Sequence, residues 1–205
     1  RVEGFSGNAA DYYDPRNSFL NEVLDRRIGI PITLSIVYLE VGQRLGLSIS
    51  PISFPAHFLL RVHVGEMEIV VDPFNKGAVL GNDTLIQHLL PLFGDRQRAE
   101  AYLPQALLGV PRREVVARML RNLKAIYASN KDWVRALRIC DQLISVDPSQ
   151  AQEHRDRGYI YAALECPQAA FEDLERYLYL QPDAPDLTQI RSKMATLRTQ
   201  ISRIN

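Results

Sequence analysis

The 205-residue chain is poor in the residues that usually announce a chemistry: it has two cysteines, four histidines and no surplus charge, with 24 basic residues against 24 acidic ones. Cys140 and Cys166 lie in helical sequence without the spacing of a metal pair, so buried free thiols are expected rather than a disulfide or a metal site. The charge balance argues against a nucleic-acid or membrane-surface partner. No apolar run reaches the length of a bilayer span and no signal peptide opens the chain, so a cytoplasmic address is the default expectation. A chain that opens on Arg1 rather than Met reads as a fragment or a trimmed polypeptide.

What is present begins with 46% hydrophobic residues, enough for one large domain or two small ones. The most informative stretch runs from His57 to Asp72. Phe58, Leu60 and Val62 alternate on one strand and Met67, Ile69 and Val71 on the next, with Gly65 marking the turn. A two-residue loop at Val64-Gly65 matches Phe58 with Val71, Leu60 with Ile69, Val62 with Met67 and Arg61 with Glu68. It also sets His57 opposite Asp72, with Cβ atoms about 5 Å apart. A loop at Gly65-Glu66 makes the same two residues diagonal neighbours on one face, still within reach. Either way the carboxylate can fix the imidazole tautomer and stabilise its protonated form.

Ahead of the hairpin, residues 1 to 16 read as loop, and Asn17 or Ser18 as the cap of a short helix through Leu24 that Gly29 stops. A second helix starts at Pro31 and has almost no polar face before Leu45-Gly46, so it reads as a buried central helix with its N-terminus open to a site. Ile49, Ile52 and Phe54 suggest a short strand. After the turn at residues 73–77 a helix-like stretch covers Asp83 to Leu92, and residues 93 to 112 read as a linker punctuated by Pro104, Gly109 and Pro111.

Beyond residue 113 the pattern repeats. Ala136 recurs as Ala170, Tyr127 as Tyr161 and Pro148 as Pro182, each 34 residues on, the period of a tetratricopeptide repeat. Leu187, Ile190, Met194, Leu197 and Ile201 then recur at helical spacing as a terminal capping helix should. The expected domains are residues 1–110 and a repeat module over 113–205 with two repeats and the cap. By repeat position, Arg118, Arg121, Arg155 and Tyr159 face the concave groove, where guanidinium groups suit an acidic peptide or a chain-terminal carboxylate.

Helix, then a strand opened by His, then a strand ended by Asp resembles the transglutaminase-like fold. The segments Asn17-Ser18-Phe19-Leu20-Asn21, Gly29-Ile30-Pro31-Ile32-Thr33-Leu34-Ser35, Phe54-Pro55-Ala56-His57-Phe58-Leu59 and Asp72-Pro73-Phe74, taken with the repeats, resemble the SirB-type bacterial proteins. The resemblance implies an α+β fold: a transglutaminase-like domain of the papain-like cysteine-protease type, with a central buried helix and antiparallel sheet, followed by all-α repeats. It also implies a Cys-His-Asp triad, and here the chain departs from the pattern. Counting back from Gly46, the nucleophile position falls on Pro31 or Ile32, neither of which is a nucleophile. Carry-over is limited to His57 as base and Asp72 as its orienting partner.

Thr33 and Ser35 lie within a turn of that position and are the candidate replacement nucleophiles. A metal hydrolase on His57, Asp72 and His63 fails because His63 is about 20 Å along the strand, and His88 and His154 read as exposed singles. No cofactor is expected. The resulting expectation is a non-catalytic protein that binds a protein or peptide partner. The alternative is a hydrolase or acyl transferase in which His57 and Asp72 act with Thr33, Ser35 or water.

Overall fold

Among the described residues positive backbone φ marks a set of turns and helix ends, and one of them decides the hairpin. In the computed structural model, which describes residues 4–204, Gly65 has φ +62° at the first position of a two-residue loop. β4 (Leu59–Val64) and β5 (Met67–Asp72) therefore pair with Val64 opposite Met67, Val62 opposite Ile69 and Leu60 opposite Val71. The loop is Gly65-Glu66 rather than Val64-Gly65. The alternative would have required a β-branched valine in the left-handed region, which glycine enters without steric cost. Arg61 and Glu68 stay on one face as diagonal neighbours, with Nε 2.6 Å from Oε1.

The chain divides into two compact units, up to Met119 and from Leu120. In the first, β1 (Ser6–Gly7) pairs in parallel with β2 (Ile28–Gly29), so part of the stretch read as loop is strand. Between them a 3-10 turn covers Pro15–Ser18 and α1 covers Leu20–Arg26. Asn17 and Ser18 are not helix caps. Both are buried, and Asn17 ties the loop by donating to the Asp11 carbonyl at 2.7 Å and accepting from Arg26 at 2.9 Å. The left-handed residue that ends α1 is Arg27, φ +56°, two positions ahead of Gly29.

α2 (Pro31–Arg44) leads to an antiparallel sheet ordered β3 (Ser48–Ile52), β4, β5, β6 (Ala78–Leu80). β6 lacks a sequence signal because three residues are too few for alternation to register. The linker expected over 93–112 is mostly helix: α3 (Asn82–Phe93) is followed by α4 (Arg96–Ala106), whose Ala99, Leu103 and Ala106 are buried against Ile52, Phe54, Leu59, Leu85 and Leu89. Asp95 caps α4 by accepting from the Arg98 amide at 2.8 Å, and Pro104 falls in its last turn, so the helix ends within three residues of it. A second cluster joins Ile30, Ile32, Phe58 and Val115. Both faces of the hairpin base are therefore covered, while α2 keeps one open flank at Val41 and Leu45.

α5 (Arg112–Ser129) runs across the division. The second unit continues with α6 (Trp133–Val146), α7 (Ala151–Ala163), α8 (Pro167–Leu180) and α9 (Leu187–Ile204). The repeat is written into the backbone: Lys131 and Glu165, one period apart, both turn left-handed between paired helices. Gly158 lets α7 and α8 approach, since a Cβ there would lie 3.0 Å from Leu174 and 3.2 Å from the Ala170 carbonyl. Ala170, Leu174, Tyr177, Ile190 and Leu197 form the core beside it.

Candidate functional site

His57 enters the first unit on a strained turn. Its amide donates to the Phe54 carbonyl at 3.0 Å, with Pro55 and Ala56 between them and Ala56 at φ +56°. Proline suits the first inner position of such a turn, but the second asks for glycine, so the alanine there stores backbone strain. Arg118 holds the turn closed. It donates to Ser53 Oγ at 2.7 Å, to the His57 carbonyl at 2.9 Å and to the Phe54 carbonyl at 3.2 Å, while its guanidinium sits 5.8 Å from the Phe58 ring centre. This corrects the placement of Arg118 in the repeat groove: its side chain belongs to the first unit.

Asp72 is fully buried at the end of β5, and its carboxylate is closely managed. Oδ1 accepts from the Phe74 amide at 2.9 Å and the Asn75 amide at 3.3 Å, and Oδ2 accepts from Asn75 Nδ2 at 2.6 Å. His57 Nε2 lies 2.9 Å from the same Oδ2. The ring N–H is off the line to that oxygen, so the contact is close without being a linear hydrogen bond. Burial alone would raise the Asp72 pKa, but His57 and the Asn75 bonds outweigh it and hold the carboxyl below its usual value. Asn75 is legible in retrospect, because Asp-Pro-x-Asn is a turn in which the first side chain accepts from amides two and three residues on.

The diagonal arrangement thus brings His57 and Asp72 together. Phe74 and His88 flank the imidazole edge-on, each with its ring centre 6.0 Å away. His88 is exposed but stands beside His57 rather than alone. Among the described residues Nδ1 of His57 has no hydrogen-bond partner, which leaves a proton-accepting edge on a partly exposed ring. No group of three metal-binding side chains occurs among the described residues.

The two hydroxyls offered as nucleophiles are both fully buried. Thr33 Oγ donates to the Asn17 carbonyl at 2.8 Å and accepts from the Ile30 amide at 3.1 Å. Ser35 Oγ donates to the Phe58 carbonyl at 3.3 Å. They tie the start of α2 to its neighbours, and Ile32 beside them packs against Ile30 and Phe58.

In the second unit the expected groove cations are neutralised from within. Arg121 pairs with Glu153 at 3.0 Å, and Lys124 bridges Glu153 and Asp156, each at 2.5 Å. Arg155 contacts Asp156 and Asp186, each at 3.2 Å, and Tyr159 is half-buried beside them. His154 is buried, not exposed: Nδ1 lies 3.2 Å from Asp173 and Nε2 3.2 Å from the Pro148 carbonyl. Cys140 is buried, and that burial pushes its thiol up to about 12, whereas Cys166, expected to be buried, is exposed as the residue that precedes α8.

Comparison with known proteins agrees with this architecture. The transglutaminase-like superfamily matches residues 1–121 and the tetratricopeptide repeat residues 123–195. A UPF0162 protein of Xylella fastidiosa is 40% identical over 197 residues, 96% of this chain and 70% of the relative. Protein SirB1 of Salmonella typhimurium is 29% identical over 197 residues, 95% of this chain and 71% of the relative. Among solved structures, the first TPR of Spaghetti (RPAP3) bound to the HSP90 peptide SRMEEVD aligns with 59% of this chain and 96% of its own. Its TM-score is 0.37 at 15% identity, too slight a likeness to bear on function. No helix among the described residues is long and apolar enough to cross a membrane. The chain belongs to the family of SirB1 and the UPF0162 proteins, with a transglutaminase-like domain followed by tetratricopeptide repeats.

Proposed function

We propose that the protein acts by binding other polypeptides, and that its transglutaminase-like domain is non-catalytic, keeping His57 and Asp72 as a structural pair. One observation carries this reading: the start of α2 offers no nucleophile. Pro31 and Ile32 have no nucleophilic atom, and the Thr33 and Ser35 hydroxyls are buried on backbone carbonyls. A base without a nucleophile cannot form the acyl-enzyme bond of a triad mechanism. Tetratricopeptide repeats supply the binding surface, in keeping with their general use in protein interaction.

A second reading rests on the free Nδ1 of His57. With Asp72 held ionised behind Nε2, that edge could take a proton from water and drive direct hydrolysis. Incubation with a panel of amides and esters and with a hydroxyl-directed covalent probe separates the two. No turnover and no adduct are expected from the native protein or from His57→Ala. Turnover or labelling that disappears in His57→Ala overturns the non-catalytic reading.

A further inference from the structure

The repeat supplies a template for a surface that the concave groove does not explain. Between α8 and α9 lies a cavity of about 350 Å3, lined by Phe171, Leu178, Met194 and Ala195 together with Glu175, Arg191 and Arg198, whose guanidinium stands 5.2 Å from the Phe171 ring centre. One period earlier the same positions hold Leu137, Ile144, Ile160, Asp141 and Arg157. At these five positions apolar matches apolar, acid matches acid and arginine matches arginine; Arg198 is the departure, standing where the earlier repeat has Leu164 and adding a second cation to the groove. At that earlier position the next helix in the array, α8, brings in Asp173, and Arg157 binds it bidentately at 2.6 and 2.8 Å while also reaching Asp141 at 2.8 Å. Around the later groove, by contrast, neither Arg191 nor Glu175 has a hydrogen-bond or ion-pair partner among the described residues.

We propose that the α8–α9 groove seats an acidic amphipathic helix of a partner protein, with a partner carboxylate on Arg191 as Asp173 sits on Arg157. The inference rests on the protein-binding reading above and names its surface and the partner's chemistry. Charge decides the occupant. α9 carries Arg191, Lys193, Arg198 and Arg203 and no acidic residue, so a second α9 would be repelled and an acidic helix drawn in. The apolar floor asks for the pattern of α8 itself, where Ala170 is followed by Asp173, Leu174 and Tyr177 at helical spacing. The concave arginines are poorer hosts for such a partner, because Arg121 and Arg155 already face carboxylates of their own unit.

The test uses a labelled, side-chain-stapled peptide of residues 167–180, in which Glu172, Asp173 and Glu175 outweigh Arg176. Fluorescence anisotropy against the whole 205-residue protein is expected to show saturable binding at about 10–100 μM. Arg191→Glu should weaken it about tenfold, and a peptide carrying Asp173→Lys should recover binding to that variant. Arg203→Glu makes the same change in charge outside the groove and should leave affinity within about twofold. Absence of binding, or equal losses in Arg191→Glu and Arg203→Glu, overturns the proposal. A native dimer that Arg191→Glu dissociates also overturns it, by giving the groove to a second copy. If the peptide does not bind while a purified partner is still captured through another face, only this inference falls and the protein-binding reading stands.

Discussion

Asp72 of the first unit and the buried carboxylates Glu153 and Asp173 of the second are held in opposite ways. In the transglutaminase-like unit Asp72 is held mainly by local backbone and one neighbour: the Phe74 and Asn75 amides, the Asn75 side chain and a single imidazole. In the repeat unit carboxylates are shared between helices, with Asp173 taking both Arg157 and His154, and Glu153 taking both Arg121 and Lys124. A local turn fixes one side chain and leaves the surrounding elements independent. Shared carboxylates instead lock helices to one another, so each charge contributes to the shape of the whole array. That difference explains why Arg121 and Arg155, which look like a peptide site, are tied to carboxylates of their own unit, while Arg191, with no partner among the described residues, lines the α8–α9 groove instead.

The sharpest way to break this contrast is to remove a shared carboxylate. Asp173→Ala strips the bidentate partner from Arg157 and one contact from buried His154, and should destabilise the repeat unit by about 3 kcal/mol. The single tryptophan, Trp133 on α6, reports on that unit in a denaturant titration. A loss under about 1 kcal/mol would mean that the network is surface decoration and that the contrast fails.

Asp72→Asn should cost the first unit less, about 2 kcal/mol at neutral pH, read by hydrogen exchange in β4 and β5. Its pH dependence sharpens the comparison. The native carboxyl titrates lower when folded than when unfolded, so its contribution is complete above the ordinary value of about 4 and is lost as pH falls through the folded value. The native protein should therefore lose first-unit stability on acidification below about pH 4, and Asp72→Asn should lose less over the same window. Equal acid sensitivity in both proteins would show that His57 and Asn75 do not hold Asp72 ionised.

Much of this was legible in the residues. The 34-residue period located the repeat unit, and alternation located the hairpin. The register was not fixed by hydrophobic matching, because Leu59-Leu60 and Val70-Val71 present apolar side chains to both faces. The left-handed glycine fixed it instead. Residues 93–112 looked like a linker because Pro104, Gly109 and Pro111 are strong local breakers, yet Ala99 and Leu103 are held in helix by burial against the sheet. The pairing of the groove arginines was hidden for another reason: Glu153 and Asp186 lie about one repeat away in sequence, and only the stacking of helices brings them to Arg121 and Arg155.

The smallest effect tests how the first unit presents its histidine. Ala56 is exposed, so replacing its methyl group removes no packing, while its φ of +56° penalises any side chain. The left-handed cost for an L-residue is about 1–2 kcal/mol, and glycine gives back about 0.5–1 kcal/mol of that through greater freedom in the unfolded chain. Ala56→Gly should therefore stabilise the unit by about 0.5 kcal/mol, seen as a higher unfolding midpoint. If the variant is instead clearly less stable, the turn depends on a stiff residue to keep His57 against Asp72. In that case the pair in the first unit is secured by chain rigidity rather than by the Arg118 bonds to residues 53–57, and it differs from the repeat unit more deeply than in its charges alone.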